Sequence, residues 1–472
     1  MCKRNLVCLI IFTLLLSTSV SPGIAQEIPA ALTDNTDGVN LAGGAPWFIQ
    51  HVDGIMGNSV GAYPSVAFKP GSDYPYISYY NSTAGELWLA SPYPNGGSNC
   101  GVGGNWWCRM VDTTNDVGKY SSIALWKGSG PFVNWKLGIS YYDQTEGDLK
   151  YAVYACLGIS CEWNRATVNL HVPPNQSVGL YTSLKFTSDG VPHIAYYISN
   201  PTGDESLKYA SSVSSGGNCG AGASLGLWQC DTVDSGDRVG KYASLDFRWD
   251  DSPYIAYYDE GQGNLKYAYY GGIGNCGSGD TWICGVIDGT DGSDVGLYAS
   301  LKAPQFSSDN YRIAYYDKTH GQLKIAYISA GGNCGNGWQC DVVDDMGTSI
   351  SPMGISMAVD TSGNPIIAYQ QIASDLSPAV LNIARPAISL GMDWGNCGDV
   401  PPGYLFQYWQ CETLDNASGY TNEAYYVSVA LDPDGLAVIA YNESDEYDNF
   451  TSLKVAYQTL INLYLPAIIK AP

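Results

Sequence analysis

Positive charge is scarce in this chain: Lys and Arg total 22 against 45 Asp and Glu in 472 residues, with 4 His, for a formal net charge of −23. So acidic a chain repels nucleic acid and anionic membrane, which are held by basic patches. Cations or neutral ligands are the partners this charge favours, and solubility outside the cell is its plain alternative meaning. Long apolar runs are also missing, since beyond the first 25 residues no stretch approaches the roughly 18 to 20 apolar residues that a spanning helix needs. No HExxH and no CxxC pair occurs, which removes the common zinc signatures.

Glycine (55), tyrosine (37) and tryptophan (13) are abundant, while charged residues make up 14%. That balance argues against disorder and for a turn-rich β protein. Lys3 and Arg4, an apolar run from Leu6 to Leu16 and small residues ending at Ala25 read as an export signal over residues 1–25. Its removal takes away two cations and no carboxylate, so −23 becomes −25. Residues 26–45 form a lead-in, 46–459 a single domain, and 460–472 an apolar tail. The expected product is extracellular, monomeric and without a membrane span.

One unit, Val295 to Asp344, organises the domain: VGLYASL, RIAYYD, GQLKIAY and WQCDVVD, separated by turns. Period-two alternation bounded by turn residues reads as four short strands joined by hairpins. The serine of G-x-Y-x-S recurs at Ser65, Ser122, Ser183, Ser244, Ser300, Ser356 and Ser428, a spacing of 56 to 72 residues that suits a four-stranded blade with generous loops. Second strands follow as YISYYN, GISYYD, HIAYYI, YIAYYD, RIAYYD, IIAYQQ and VIAYNE. Their paired tyrosines point to opposite faces and are expected to pack between neighbouring blades. Third strands carry Lys150, Lys208, Lys266, Lys324 and Lys454 at one position, placed to pair across the hairpin with Asp143, Asp259, Asp317 or Glu443.

Fourth strands read W-x-C-x-x-x-D, with Asn169 in place of Asp in the second unit, and the seventh unit has none. Pro46 to Asp53, PWFIQHVD, matches the missing strand. An N-terminal strand completing the last unit hides both sheet edges. The expected fold is therefore all-β: a seven-bladed β-propeller of four-stranded antiparallel blades, closed by its N-terminal strand.

Twelve cysteines follow the export signal, two in each of the first six units: Cys100 and Cys108, Cys156 and Cys161, Cys219 and Cys230, Cys276 and Cys284, Cys334 and Cys340, Cys397 and Cys411. Even count, local spacing and an export signal predict one disulfide per unit.

Across residues 46 to 459 the chain resembles seven-bladed β-propellers of bacterial secreted repeat proteins, in the neighbourhood of sialidase-like propellers and propeller lectins. The resemblance lies in repeat rhythm. Thr187-Ser188-Asp189-Gly190 and Thr361-Ser362-Gly363-Asn364 lack the aromatic end of the sialidase Asp-box. The arginines Arg109, Arg165, Arg238, Arg248, Arg312 and Arg385 share no register from which a carboxylate-clamping triad would come.

In a propeller, the turns between second and third strands and the links between blades emerge on one face. Here both are acidic, which predicts a negative field at that channel mouth. Asp143, Asp259 and Asp317 in the turns are candidate ligand-binding residues, as are Tyr404 and Tyr408 in the enlarged sixth unit, where departure from the repeat marks a candidate site. Asp288, Asp291 and Asp294 space hard oxygen donors along a glycine loop in a manner suited to calcium; turn and cap roles are the plain alternative. The leading functional expectation is a binding or adhesion module for a glycan or a protein surface. The alternatives are a polysaccharide hydrolase or lyase using acids of that face, and a structural cell-surface protein.

Overall fold

The computed structural model describes residues 46–458 except 55–56, 93–98, 102–104, 129–134, 158–159, 172–175, 202–204, 306–309, 374–378, 401–406, 417–425 and 445–449. The expected export signal, lead-in and tail, and Tyr404, lie outside the described residues.

Seven four-stranded antiparallel sheets form the propeller. In blade one the strands are Val60–Phe68, Pro75–Asn81, Glu86–Pro92 and Trp106–Asp112. First strands pack against the first strands of both neighbouring blades and so line the central channel. Second strands are sandwiched between blades and buried on both faces, as Pro75–Asn81 and Arg312–Asp317 show. A near-continuous apolar run such as RIAYYD is the composition this position requires.

The N-terminal strand Trp47–Asp53 pairs antiparallel with Thr451–Gln458, Trp47 opposite Gln458 and His51 opposite Lys454. The seventh sheet is thus built from both ends of the described chain, and neither end leaves an open edge to aggregate.

The repeated serine does more than mark register. Each Ser Oγ accepts a hydrogen bond from a first-strand N–H of the following blade: Ser65 from Ile123, Ser122 from Leu184, Ser183 from Leu245, Ser244 from Leu301, Ser300 from Met357 and Ser356 from Val429. Ser428 accepts from Val66 at 3.1 Å and closes the circuit. At about 0.5–1.5 kcal/mol per bond, this belt adds modestly to stability and fixes the rotation between blades. The motif glycine permits the close approach: Gly179 has φ +104, and a Cβ there would meet Leu149 Cα at 2.8 Å.

Five of the expected disulfides are present: Cys100–Cys108, Cys219–Cys230, Cys276–Cys284, Cys334–Cys340 and Cys397–Cys411. The ladder of blade two sets Cys156 opposite Cys161, and Cys161 is disulfide-bonded.

Candidate functional site

The tyrosine of G-x-Y-x-S turns into the channel at one mouth. Tyr63, Tyr120, Tyr181, Tyr242 and Tyr298 have φ of 52, 55, 53, 54 and 57°, a left-handed conformation uncommon for a bulky side chain. Each lies where the ladder slips, as between Leu297 and Ser300, and such a bulge re-aims a side chain. Tyr426 takes the same place in blade seven, its N–H donating to Asn442 Oδ1 at 2.8 Å.

These six rings stand shoulder to shoulder. Centroids are 4.1 Å apart for Tyr426 and Tyr63, 4.6 Å for Tyr63 and Tyr120, 4.7 Å for Tyr120 and Tyr181, 4.7 Å for Tyr181 and Tyr242, and 4.6 Å for Tyr242 and Tyr298. Their hydroxyls follow one another in the same order, each perturbing the next. Burial, followed by the neighbouring phenols, pushes the hydroxyls of Tyr120, Tyr242 and Tyr426 upward, and burial raises Tyr181 to about 12. The phenols of this row therefore stay protonated at neutral pH.

The ring encloses a cavity of about 190 Å³ to which every blade contributes two consecutive residues, from Tyr63 and Pro64 round to Tyr426 and Val427. None of its lining residues is charged. Blade six contributes Gly354 and Ile355, so the ring has a gap in that sector.

The acids expected at this mouth lie outside the cavity lining, and the aspartates of the seams and hairpin turns are engaged with other groups. A seam joins each fourth strand to the second strand of the next blade: Tyr79 donates to Asp53, Tyr141 to Asp112, Tyr257 to Asp234, Tyr315 to Asp288, Tyr369 to Asp344 and Tyr441 to Asp415, at 2.6 to 2.7 Å. In the remaining seam Asn169 donates to Tyr196 at 2.7 Å. The recurrent lysines bridge two carboxylates. Lys150 reaches Asp112 at 2.9 Å and Asp143 at 3.6 Å, Lys266 reaches Asp234 at 2.6 Å and Asp259 at 3.5 Å, and Lys324 reaches Asp288 at 2.6 Å and Asp317 at 3.6 Å. Lys454 joins Asp415 and Glu443 in the same way. The hairpin pairs expected from sequence are present, and in these first three sites the shorter contact crosses the blade seam.

Blades one, three and six depart from this scheme; in blade one Trp88 stands in the lysine position, opposite Tyr79. The seam facing blade three carries Asn169 in place of an aspartate, Lys208 donates to Thr232 Oγ1 at 2.6 Å, and burial lowers its pKa. In blade six Asn382 stands in the lysine position, and burial raises the Asp344 carboxyl despite the Tyr369 hydroxyl. In Asp112, by contrast, the Tyr141 hydroxyl and Lys150 outweigh burial and hold the carboxyl low.

Asp143, Asp259 and Asp317 are 2%, 4% and 1% exposed. Each also caps its turn, accepting from the N–H of Glu146, Gln262 and His320. Tyr408 packs edge-on against Trp409, 5.7 Å between centroids, at the start of a fourth strand and so at the end of the blade away from the tyrosine cavity. The expected calcium loop is not drawn together. Asp288 serves Tyr315 and Lys324, Asp291 accepts from Ser293 N–H, and Asp294 pairs with Lys318. Among the described residues no cluster of three or more His, Cys, Asp or Glu is arranged to hold a metal ion. Gly222-Ala223-Ser224-Leu225-Gly226 spells G-x-S-x-G, but Ser224 lies in a 3-10 turn and its hydroxyl donates to Thr167 and Ala221 carbonyls, each at 2.7 Å. That is not the strand-to-helix elbow the motif needs for nucleophilic chemistry.

Sequence reasoning took the serine of G-x-Y-x-S as the register mark and missed the tyrosine of the same motif as a site residue. The available signal was its replacement by Gly354 in the one unit that departs most.

Fold and cavity together define a seven-bladed β-propeller with an aromatic, uncharged channel mouth. No protein-family model matches the chain, and no curated protein does. Among solved structures it is similar to a protein of unknown function from Dyadobacter fermentans, at 11% identity and TM-score 0.42, over 87% of this chain and 98% of that one. It is similar to the α-L-arabinofuranosidase Arb93A from Fusarium graminearum, at 13% identity and TM-score 0.41, over 68% and 91%. It is also similar to the NanB sialidase from Streptococcus pneumoniae, at 10% identity and TM-score 0.34, over 86% and 70%. Likeness at this level carries no argument about activity.

Proposed function

We propose that this protein is an exported binding or adhesion module that engages a neutral ligand, part of a glycan or of a protein surface, at the tyrosine-lined channel mouth. The observation that carries the reading is the cavity: seven blades converge on one concave, uncharged, aromatic-lined space. Aromatic faces with a few hydroxyls suit the apolar faces of sugar rings or side chains, and binding pockets are typically built this way. Glycoside hydrolysis needs two carboxylates facing a cleft about 5 to 9.5 Å apart, and Asp112, Asp143, Asp234, Asp259, Asp288 and Asp317 around this mouth are engaged with lysines, tyrosines and turn amides. In this reading Asp143, Asp259 and Asp317 contribute to the negative field around the mouth, which disfavours anionic ligands. The intra-blade disulfides suit an oxidising compartment.

Glycan-array and surface-binding screens of the mature chain test the reading, with Ala299→Trp as the variant that fills the cavity. Binding that Ala299→Trp weakens about tenfold or more, without loss of the folded state, supports it. Polysaccharide turnover abolished by a single Asp or Glu substitution would replace it with the hydrolase reading.

A further inference from the structure

The tyrosine ring is one member short. Six inner strands place a phenol at the mouth and the sixth blade places Gly354. In blades one to four a second-strand tyrosine backs the ring, with centroids 6.3 Å apart for Tyr63 and Tyr80, 6.4 Å for Tyr120 and Tyr142, 6.1 Å for Tyr181 and Tyr197, and 6.2 Å for Tyr242 and Tyr258. In blade six that position is Gln370, the ladder partner of Gly354. Gln370 is 2% exposed; its Nε2 donates to the Asn442 carbonyl at 3.0 Å, while its Oε1 accepts no hydrogen bond. A buried amide oxygen left so is costly unless a ligand or water meets it. Phenol and backing are therefore missing from the same sector.

The hydroxyls tell the same story by counting. Neighbouring hydroxyls interact in five pairs, Tyr426 with Tyr63, Tyr63 with Tyr120, Tyr120 with Tyr181, Tyr181 with Tyr242 and Tyr242 with Tyr298, in a row whose rings are in contact throughout. Each hydroxyl has one proton to donate and lone pairs to accept with. An open row of six therefore ends with one donor and one acceptor unused within the row, at Tyr298 and Tyr426, on either side of Gly354. A seventh hydroxyl would use both.

We propose that the sector opened by Gly354 receives the phenol ring of a guest, which lies between Tyr298 and Tyr426 and whose hydroxyl joins the two ends of the row into a closed seven-membered ring. This deepens the binding reading above and rests on it for the location of the ligand. The neighbours set the shape of the guest. Rings in the row stand 4.6 to 4.7 Å apart and tilted by 46 to 56° from Tyr63 to Tyr298, a spacing and tilt that a further phenol ring would continue. The guest chemistry is a neutral phenol, either a free small phenol or a tyrosyl side chain on a partner protein.

The test is calorimetric titration of the mature chain with 4-methylphenol, which is the tyrosine side chain cut at Cβ. N-acetyltyrosinamide, toluene and a methyl glucopyranoside are run beside it, and Gly354→Tyr adds a bulky side chain at the open sector of the cavity lining. The expected result is saturable binding of 4-methylphenol, about tenfold weaker for toluene because the ring-closing hydrogen bonds are lost, and about tenfold or more weaker in Gly354→Tyr. Binding of N-acetyltyrosinamide at similar strength supports a tyrosyl guest, and binding of 4-methylphenol without it supports a free phenol. Equal binding to wild type and Gly354→Tyr, equal binding of toluene, or no saturable heat overturns the proposal. Binding of the glucopyranoside in place of the phenols overturns it while leaving the binding-module reading intact. If Gly354→Tyr does not fold, Tyr298→Phe and Tyr426→Phe each remove an end hydroxyl and should weaken 4-methylphenol about threefold to tenfold; unchanged affinity in both overturns the proposal.

Discussion

Asp288→Ala should cost about 3 kcal/mol of folding stability, by the same amount in calcium and in chelator. Asp288 Oδ2 accepts from the Tyr315 hydroxyl and from Lys324 Nζ, each at 2.6 Å, and Tyr315 is fully buried. Removing the acceptor strands that hydroxyl at about 1–3 kcal/mol. Breaking a buried ion pair by deleting one partner costs about 3–5 kcal/mol. Lys324, at 14% side-chain exposure, keeps Asp317 at 3.6 Å, so this loss is smaller and the sum falls near the lower figure. Tyr315→Phe removes only the donor and should cost about 1 kcal/mol. Asp288→Asn should cost less than Asp288→Ala, because Asn169 already pairs with Tyr196 in the equivalent seam. Equilibrium denaturation followed by tryptophan fluorescence gives all three numbers. If Tyr315→Phe costs as much as Asp288→Ala, the seam account is wrong. If calcium stabilises the wild type and not Asp288→Ala, the aspartate is a metal ligand and the account fails differently.

Two further outcomes follow from the same geometry. Tyrosines held above their ordinary pKa, such as Tyr181 at about 12, contribute stability that is full below about pH 10, the unfolded value, and is lost as pH rises toward the folded value. Phenolate absorbance and far-ultraviolet circular dichroism should therefore change together in one alkaline transition; gradual ionisation of a still-folded protein would contradict the burial of the ring. Trp47→Ala, at a residue 2% exposed in the closing strand, should cost about 3–5 kcal/mol and promote self-association through the freed edge, read by denaturation and by size-exclusion chromatography. A monomer of unchanged stability would show that the strand does not close the ring.

The seam at Asp288 also shows where reading the chain reaches its limit. The hairpin partner of Lys324 was within view, because Asp317 lies on the adjacent strand and period-two alternation sets its face. The nearer partner, Asp288, belongs to the preceding blade, and the contact exists only because two sheets pack at a fixed rotation. The same division applies to Asp291 and Asp294, whose spacing resembles a cation loop in one dimension but whose carboxylates face separate partners once the loop is folded.

Blade number, strand order, closure by Trp47 to Asp53 and the partners within five disulfides were all legible before any coordinates, because each depends on local alternation or on a repeat whose period is the blade itself. The tyrosine ring was not. Its members are 56 to 72 residues apart from one occupied or vacant position to the next in Tyr63, Tyr120, Tyr181, Tyr242, Tyr298, Gly354 and Tyr426, and no one-dimensional pattern states that a bulge turns the first five toward a common axis. Convergence of side chains is a property of the closed circle, set by packing between sheets, and for that reason the cavity and its gap at Gly354 emerged only when the wheel was assembled.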